Sequence, residues 1–73
     1  KGAIMRMLHE QTQGMQAEHL DGLKLYQEGG WVLVLPDVEA PLIHIYSEGT
    51  SPEQAQALVA EWRGRIEEMQ QTI

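Results

Sequence analysis

The segment SPEQAQALVAEWRGRIEEM, residues 51–69, constrains the fold of this chain more than any other stretch. Ser51 is a favoured N-cap residue, Pro52 suits the first helical position, and Gln54 completes a capping box of the S-x-x-Q type. The apolar residues that follow recur at helical spacing and form one stripe: Ala55, Leu58, Val59, Trp62, Ile66 and Met69. The segment therefore predicts a long helix whose apolar stripe packs on a sheet.

The rest of the chain alternates between one more helical pattern and short apolar runs. Residues 2–13 carry apolar side chains at helical spacing, and Gly14 suits the end of that helix. Strand patterns follow at residues 23–26, 31–35 and 42–46, and QEGG makes a turn before the second of them. The order predicts an α+β fold: a four-stranded, mainly antiparallel sheet with two helices packed on one face. From Met15 to His19 the pattern is weak, and the first of the four strands is the least clearly marked.

The size and composition of the chain limit the classes of protein to which it can belong. Seventy-three residues make one domain, and an apolar content of 42% is enough for a thin two-layer core. The chain begins at KGAIMRML, already in a helical pattern, so we expect residues 1–73 to be a single C-terminal domain of a longer multidomain protein. The absence of cysteine removes disulfides and thiolate chemistry and favours a cytoplasmic location.

The charge and the hydropathy of the chain argue against two classes of partner. A net charge of −6 repels phosphate backbones and anionic lipid headgroups. No apolar run approaches the roughly 20 residues that span a bilayer. We therefore expect neither a nucleic-acid partner nor a membrane partner.

The residues that can carry chemistry do not form a catalytic pattern. His9, His19 and His44 lack the i, i+4 spacing of a helical metal site, so we expect no metal site in this domain. Asp37 and Glu39 are predicted to be solvated loop acids, because nothing near them in the sequence raises a carboxyl pKa. Trp31 and Trp62 are predicted to lie in the core. We expect no catalytic residue here and no turnover by the isolated domain.

An acidic corner, LPDVEAP at residues 35–41, separates the two most apolar strand patterns. Its two prolines, Pro36 and Pro41, cannot donate to a ladder and mark where strand pairing stops. The surrounding pattern, DGLKLYQEGGWVLVLPDVEAPLIHIYSEGTSPEQAQALVAEW at residues 21–62, resembles the C-terminal domain of the phosphohexomutases, the phosphomannomutase and phosphoglucomutase family. In that family an Asp-Gly-led strand precedes a Trp-initiated strand, which ends in an RPSGTEP-type loop. The resemblance implies that the corner occupies the place of a phosphate-binding loop.

The phosphate-binding groups of the family loop are missing from this corner. In the family the loop reads Arg, Pro, Ser, Gly or Asn, Thr, Glu and Pro, and the arginine and hydroxyl groups grip the phosphate of the sugar. The corresponding residues here are, in the same order, Leu35, Pro36, Asp37, Val38, Glu39, Ala40 and Pro41. An arginine common in the next strand of the family is matched by His44. The loop is therefore expected to bind sugar phosphate weakly or not at all.

Three readings of function remain open, and the resemblance implies the first two. In the first, the chain is the C-terminal domain of a phosphohexomutase-like enzyme of sugar-phosphate metabolism, whose magnesium site and phosphoserine lie in other domains of the parent chain. In the second, it is a structural or regulatory mutase-like region fused to a sugar nucleotidyltransferase, such as a mannose-1-phosphate guanylyltransferase. The third reading, an unrelated small interaction module, follows from composition and fold class alone.

Overall fold

Two helices enclose four consecutive strands in the computed structural model, which describes residues 2–19 and 21–72. The elements in chain order are α1 (Gly2–Gln11), β1 (Ala17–His19), β2 (Leu23–Gln27), β3 (Gly30–Pro36), β4 (Ile43–Gly49) and α2 (Pro52–Thr72). Helix α1 ends two residues before the predicted boundary, and Gly14 beyond it has a positive φ of 87°. Such a conformation favours glycine after a helix end.

The strands form one antiparallel sheet in the order β1-β2-β3-β4, so each strand pairs with its neighbour in the sequence. This confirms the predicted α+β class and the four-stranded sheet. The least marked strand, β1, is only three residues long and pairs with β2 from Ala17 opposite Leu25 to His19 opposite Leu23. Strands β3 and β4 pair over seven residues, from Gly30 opposite Gly49 to Pro36 opposite Ile43.

At the start of α2 one of the two hydrogen bonds of the predicted capping box is present, and the other is replaced. Ser51 Oγ accepts a hydrogen bond from the Gln54 N–H at 3.1 Å, which confirms the N-cap. The Gln54 side chain does not return to Ser51 but donates from Nε2 to the Glu28 carbonyl oxygen at 3.3 Å and accepts from the Thr50 N–H at 3.3 Å. The first turn of α2 is thereby tied to the β2–β3 turn, where Gly29 has a positive φ of 85°.

One core cluster joins both helices to one face of the sheet. Alternation along the strands places the buried residues of β2 and β3 opposite each other, Leu23 with Val34 and Leu25 with Val32. The core cluster contains Ile4, Leu8, Leu23, Leu25, Val32, Val34, Trp62, Ile66 and Met69. Since α1 and α2 contribute to the same cluster as these strand residues, both helices pack on the same sheet face.

The other sheet face carries no helix within the described residues, and this changes the role of one tryptophan. Trp62 is fully buried in the core as predicted. Trp31 is not a core residue: it is half-buried on the uncovered face, where its Nε1 donates to Glu48 Oε1 at 3.2 Å. The Lys24 ammonium lies 4.4 Å from the Trp31 ring centroid, a cation–π distance. The prediction for Trp31 was wrong because an apolar residue in a central strand was assumed to be covered on both faces.

Candidate functional site

The acidic corner joins the ends of β3 and β4, as the two prolines predicted. Leu35 and Pro36 are the last residues of β3, and the final register pair joins Pro36 to Ile43. Beyond it the Asp37 N–H donates to the Leu42 carbonyl oxygen at 2.9 Å, which closes the loop. His44 is the second residue of β4 and pairs with Leu35. The structure therefore brings His44 beside the corner.

Asp37 organises the corner by accepting hydrogen bonds from the loop backbone. Its Oδ1 accepts from the N–H groups of Glu39 and Ala40, each at 2.8 Å. Its Oδ2 lies 2.9 Å from His44 Nε2. Because an ionised carboxylate only accepts, Nε2 of His44 carries the proton in this contact. One side chain thus holds two loop amides and a side chain of the next strand.

These contacts set the ionisation of Asp37. The hydrogen bond from the Ala40 N–H, followed by those from His44 and the Glu39 N–H, holds the pKa of the Asp37 carboxyl well below its ordinary value. The side chain of Asp37 is 29% exposed. Asp37 is therefore a partly shielded, ionised acceptor rather than the solvated loop acid that the sequence predicted. A carboxyl group with so low a pKa has no proton to give as a general acid at neutral pH.

The tip of the corner faces solvent. Val38 is 95% exposed, and Glu39 and Pro41 are also exposed, whereas Ala40 is half-buried. Glu39 is thus the solvated acid that was predicted. Between residues 35 and 41 no side chain is an arginine, lysine, serine or threonine, the types that usually bind phosphate. The two features that oppose anion binding, the Asp37 carboxylate and the Glu39 carboxylate, lie within the corner itself.

The contact between Asp37 and His44 was not foreseen from the sequence. Asp as the first residue of a loop is a known signal for a side chain that bonds to backbone amides two and three residues on. That signal was present in PDVEA. The contact with His44 also requires the β3–β4 register, which places His44 one position inside the final strand pair.

The remaining histidines come together at the opposite edge of the sheet. The rings of His9, in α1, and His19, in β1, have centroids 4.7 Å apart in an edge-to-face arrangement. Among the described residues no three histidine or acidic side chains are grouped closely enough to hold a metal ion. The pair is an aromatic contact between the first helix and the first strand.

Comparison with known proteins adds no relative to these observations. No model of a protein family matches the chain, and no curated protein sequence matches it significantly. Over residues 2–19 and 21–72, neither helix combines the length and the apolar character that crossing a bilayer requires.

Proposed function

We propose that this chain is a non-catalytic, phosphohexomutase-like C-terminal domain whose phosphate loop is closed by its own aspartate. Its parent protein acts in cytoplasmic sugar-phosphate metabolism, with any magnesium site and the phosphoryl-transfer chemistry in other domains. The order helix, four antiparallel strands, helix supports this proposal because the resemblance implies the same order. The absence of cysteine supports the cytoplasmic location.

One observation carries the proposal: the Asp37 carboxylate occupies the donors that an anionic ligand needs. Glu39 N–H, Ala40 N–H and His44 Nε2 all point to Asp37 oxygens at 2.8 to 2.9 Å. Backbone amides converging on one point form an anion-binding concavity, and a phosphate group would compete for them with a carboxylate on the same loop. The resident carboxylate is tethered, so it competes at a high effective concentration. In this corner the converging amides are already bonded to a carboxylate of the same loop.

An NMR titration of the labelled chain tests this closed loop. Mannose 1-phosphate and glucose 1-phosphate are added to the wild type while the amide signals of Val38, Glu39 and Ala40 are followed. We expect no saturable shift at these amides up to millimolar ligand. Saturable shifts confined to the corner of the wild type would refute the closed loop, because they would show that phosphate displaces the Asp37 carboxylate.

A second variant tests whether the frame of a phosphate loop remains. Replacing Asp37→Ser and Glu39→Thr restores two hydroxyl groups and removes both opposing charges. We expect the double variant to gain a saturable response to both sugar phosphates. The matched control replaces Glu10→Gln and Glu68→Gln, which changes the net charge equally at exposed helix positions. Saturable amide shifts in the control would indicate that the change in net charge alone permits binding. The absence of shifts in both variants would contradict the resemblance to phosphohexomutases.

A specific observation favours a second candidate, a structural or regulatory interaction domain, as in a fusion to a sugar nucleotidyltransferase. Among the described residues, the large apolar side chains that remain exposed are Val38, Leu42 and Tyr46, at 95%, 56% and 50%. Val38 lies in the corner, Leu42 directly follows the corner, and Tyr46 lies in β4. Exposed apolar side chains gathered on one part of a surface mark contact sites. Limited proteolysis and light scattering of the parent protein distinguish this candidate, which requires Tyr46 to be buried against a neighbouring domain or subunit.

A further inference from the structure

We infer that the free edge of β4 is a self-association surface, on which a second copy of this chain adds its own β4 antiparallel to form one continuous eight-stranded sheet. This inference rests on the strand geometry and not on the proposed function. It would hold for a phosphohexomutase-like domain and for an unrelated module alike.

The two edges of the sheet are protected to different degrees. Strand β1 is short, at three residues, and brevity is one of the ways in which proteins prevent edge-to-edge pairing. Strand β4 is seven residues long and pairs with β3 in an unbroken register without a bulge. From Ile43 to Gly49 it contains neither lysine nor proline, the residues that usually block an edge. Strand β4 is therefore the edge that is built to accept a partner strand.

The backbone groups that β4 offers to a partner follow from its pairing with β3. Hydrogen bonds from Thr50 N–H to Gly29 O and from Asp37 N–H to Leu42 O continue the β3–β4 register at both ends. In an antiparallel ladder, alternate residues direct both backbone groups to the same neighbour. Even-numbered residues of β4 therefore bond to β3. The residues that direct their N–H and C=O groups to the free edge are Ile43, Ile45, Ser47 and Gly49.

The side chains on the uncovered face of β4 favour one register for two copies. With Tyr46 of one copy opposite Tyr46 of the other, His44 of each copy lies opposite Glu48 of its partner. Opposite residues at these positions form the closely spaced, non-hydrogen-bonded pairs, whose side chains interact most strongly. An aromatic pair then sits on the two-fold axis between two imidazole–carboxylate pairs. In an alternative register, shifted by two residues along each strand, Glu48 of one copy lies opposite Glu48 of the other. Repulsion between the two carboxylates disfavours that register.

The helix side of the same edge is open and can receive the partner's side chains. A groove of about 280 Å³ runs beside Ser47, Val59 and Ala60, and a second of about 310 Å³ runs beside Ile43, Ile45 and Ile66. Both grooves border Arg63 of α2. A two-fold axis perpendicular to the sheet keeps equivalent faces on the same side, so Ile45 of the second copy lies opposite Ser47 and enters the first of these grooves. The apolar part of the edge is then covered together with its backbone groups.

Disulfide trapping tests the register directly, because the wild-type chain has no cysteine. Tyr46→Cys places two thiols opposite each other at a non-hydrogen-bonded pair, where the Cα separation of about 4.5 Å falls in the disulfide range. The matched control is Glu48→Cys, on the same strand face but two residues from the axis. We expect the Tyr46→Cys chain to form linked dimers at least about tenfold faster under mild oxidation. Equal rates, or a faster control, would overturn the proposed register.

Sedimentation equilibrium tests the surface itself without a cross-link. The wild type is expected to show a reversible monomer–dimer equilibrium between micromolar and near-millimolar concentrations. Tyr46→Lys and Tyr46→Glu each place like charges on the axis and should weaken association by about tenfold or more. Because Tyr46 is half exposed on the uncovered face, both variants should keep the wild-type circular dichroism spectrum.

A mixture of the two charge variants separates this register from a general effect of charge. Tyr46→Lys and Tyr46→Glu chains together should form a heterodimer, since opposite charges then meet at the axis. Recovery of dimer in the mixture, with neither variant dimeric alone, supports the inference. A wild type that stays monomeric at near-millimolar concentration overturns it, as does an association that the Tyr46 variants leave unchanged.

Discussion

Trp62 provides the sharpest test of how the core of this small domain is held together. Its side chain is fully buried, and within the described residues its indole Nε1 has no hydrogen-bond partner. The Arg65 guanidinium carbon lies 4.4 Å from the ring centroid and covers one face of the ring. Trp62 therefore contributes a large apolar volume to the core together with an unpaired donor. These two contributions oppose each other and can be separated by substitution.

The expected effects follow from volume and from desolvation. Trp62→Phe removes about 40 Å³, and the lost apolar transfer together with the cavity left behind costs about 1–2 kcal/mol. The same change removes a buried unpaired donor, whose desolvation costs about 1–3 kcal/mol in the wild type. We expect Trp62→Phe to change the free energy of unfolding by between about −1 and about +2 kcal/mol. Trp62→Ala also removes the unpaired donor but leaves a large cavity. It should lower the free energy of unfolding by about 3–5 kcal/mol.

Urea unfolding followed by far-ultraviolet circular dichroism measures these differences without relying on tryptophan fluorescence. The matched control is Trp31→Phe, which removes the bond from Nε1 to Glu48 at a half-buried site and should cost about 1 kcal/mol. A loss of 2 kcal/mol or more in Trp62→Phe, relative to the wild type, would contradict the opposing-terms argument, which gives about 1 kcal/mol at most. It would mean that the indole N–H is satisfied in solution.

Three further outcomes are expected from backbone and charge. Gly64→Ala should raise the free energy of unfolding by about 0.5–1 kcal/mol, because Gly64 lies inside α2 and an added Cβ meets no atom within 4 Å. Gly29→Ala should lower the free energy of unfolding by at least about 1–2 kcal/mol, because Gly29 has a positive φ and the added Cβ would collide with the Gln54 side chain. Urea midpoints check both variants. The pKa of Asp37 is lower in the folded state than in the unfolded state. Asp37 therefore stabilises the fold above about pH 4, and this contribution is lost as the pH falls further. Asp37→Asn should make the decline in the free energy of unfolding below about pH 4 less steep.

Local rules were enough to predict the elements that have strong end signals. Ser51 and Pro52 located the start of α2, and Pro36 located the end of β3, because capping and a missing N–H act within a few residues. Strand β1 was weakly marked because its three residues, Ala17 to His19, are mostly exposed and carry no apolar alternation. That strand is stabilised by pairing with β2, a contact that the local pattern does not contain.

The corner could be located from the sequence, but its internal contacts could not. The comparison with the family loop predicted that Asp37 and Glu39, which stand where that loop has Ser and Thr, would repel a phosphate group. The structure adds a different obstacle, since Asp37 already holds two loop amides and His44. This contact depends on the β3–β4 register, which is set by pairing over the length of both strands rather than by any residue of the corner.

The order of the strands also bears on how the chain folds. Every strand of the sheet pairs with the strand next to it in the sequence, so each pairing step closes only a short loop. The search for the native topology then proceeds by successive hairpins, and only the docking of α1 beside α2 joins the two ends of the chain. Low average sequence separation between contacting residues goes with fast folding. We therefore expect the main refolding phase from urea to be rapid, with a minor slow phase from isomerisation of the three prolines.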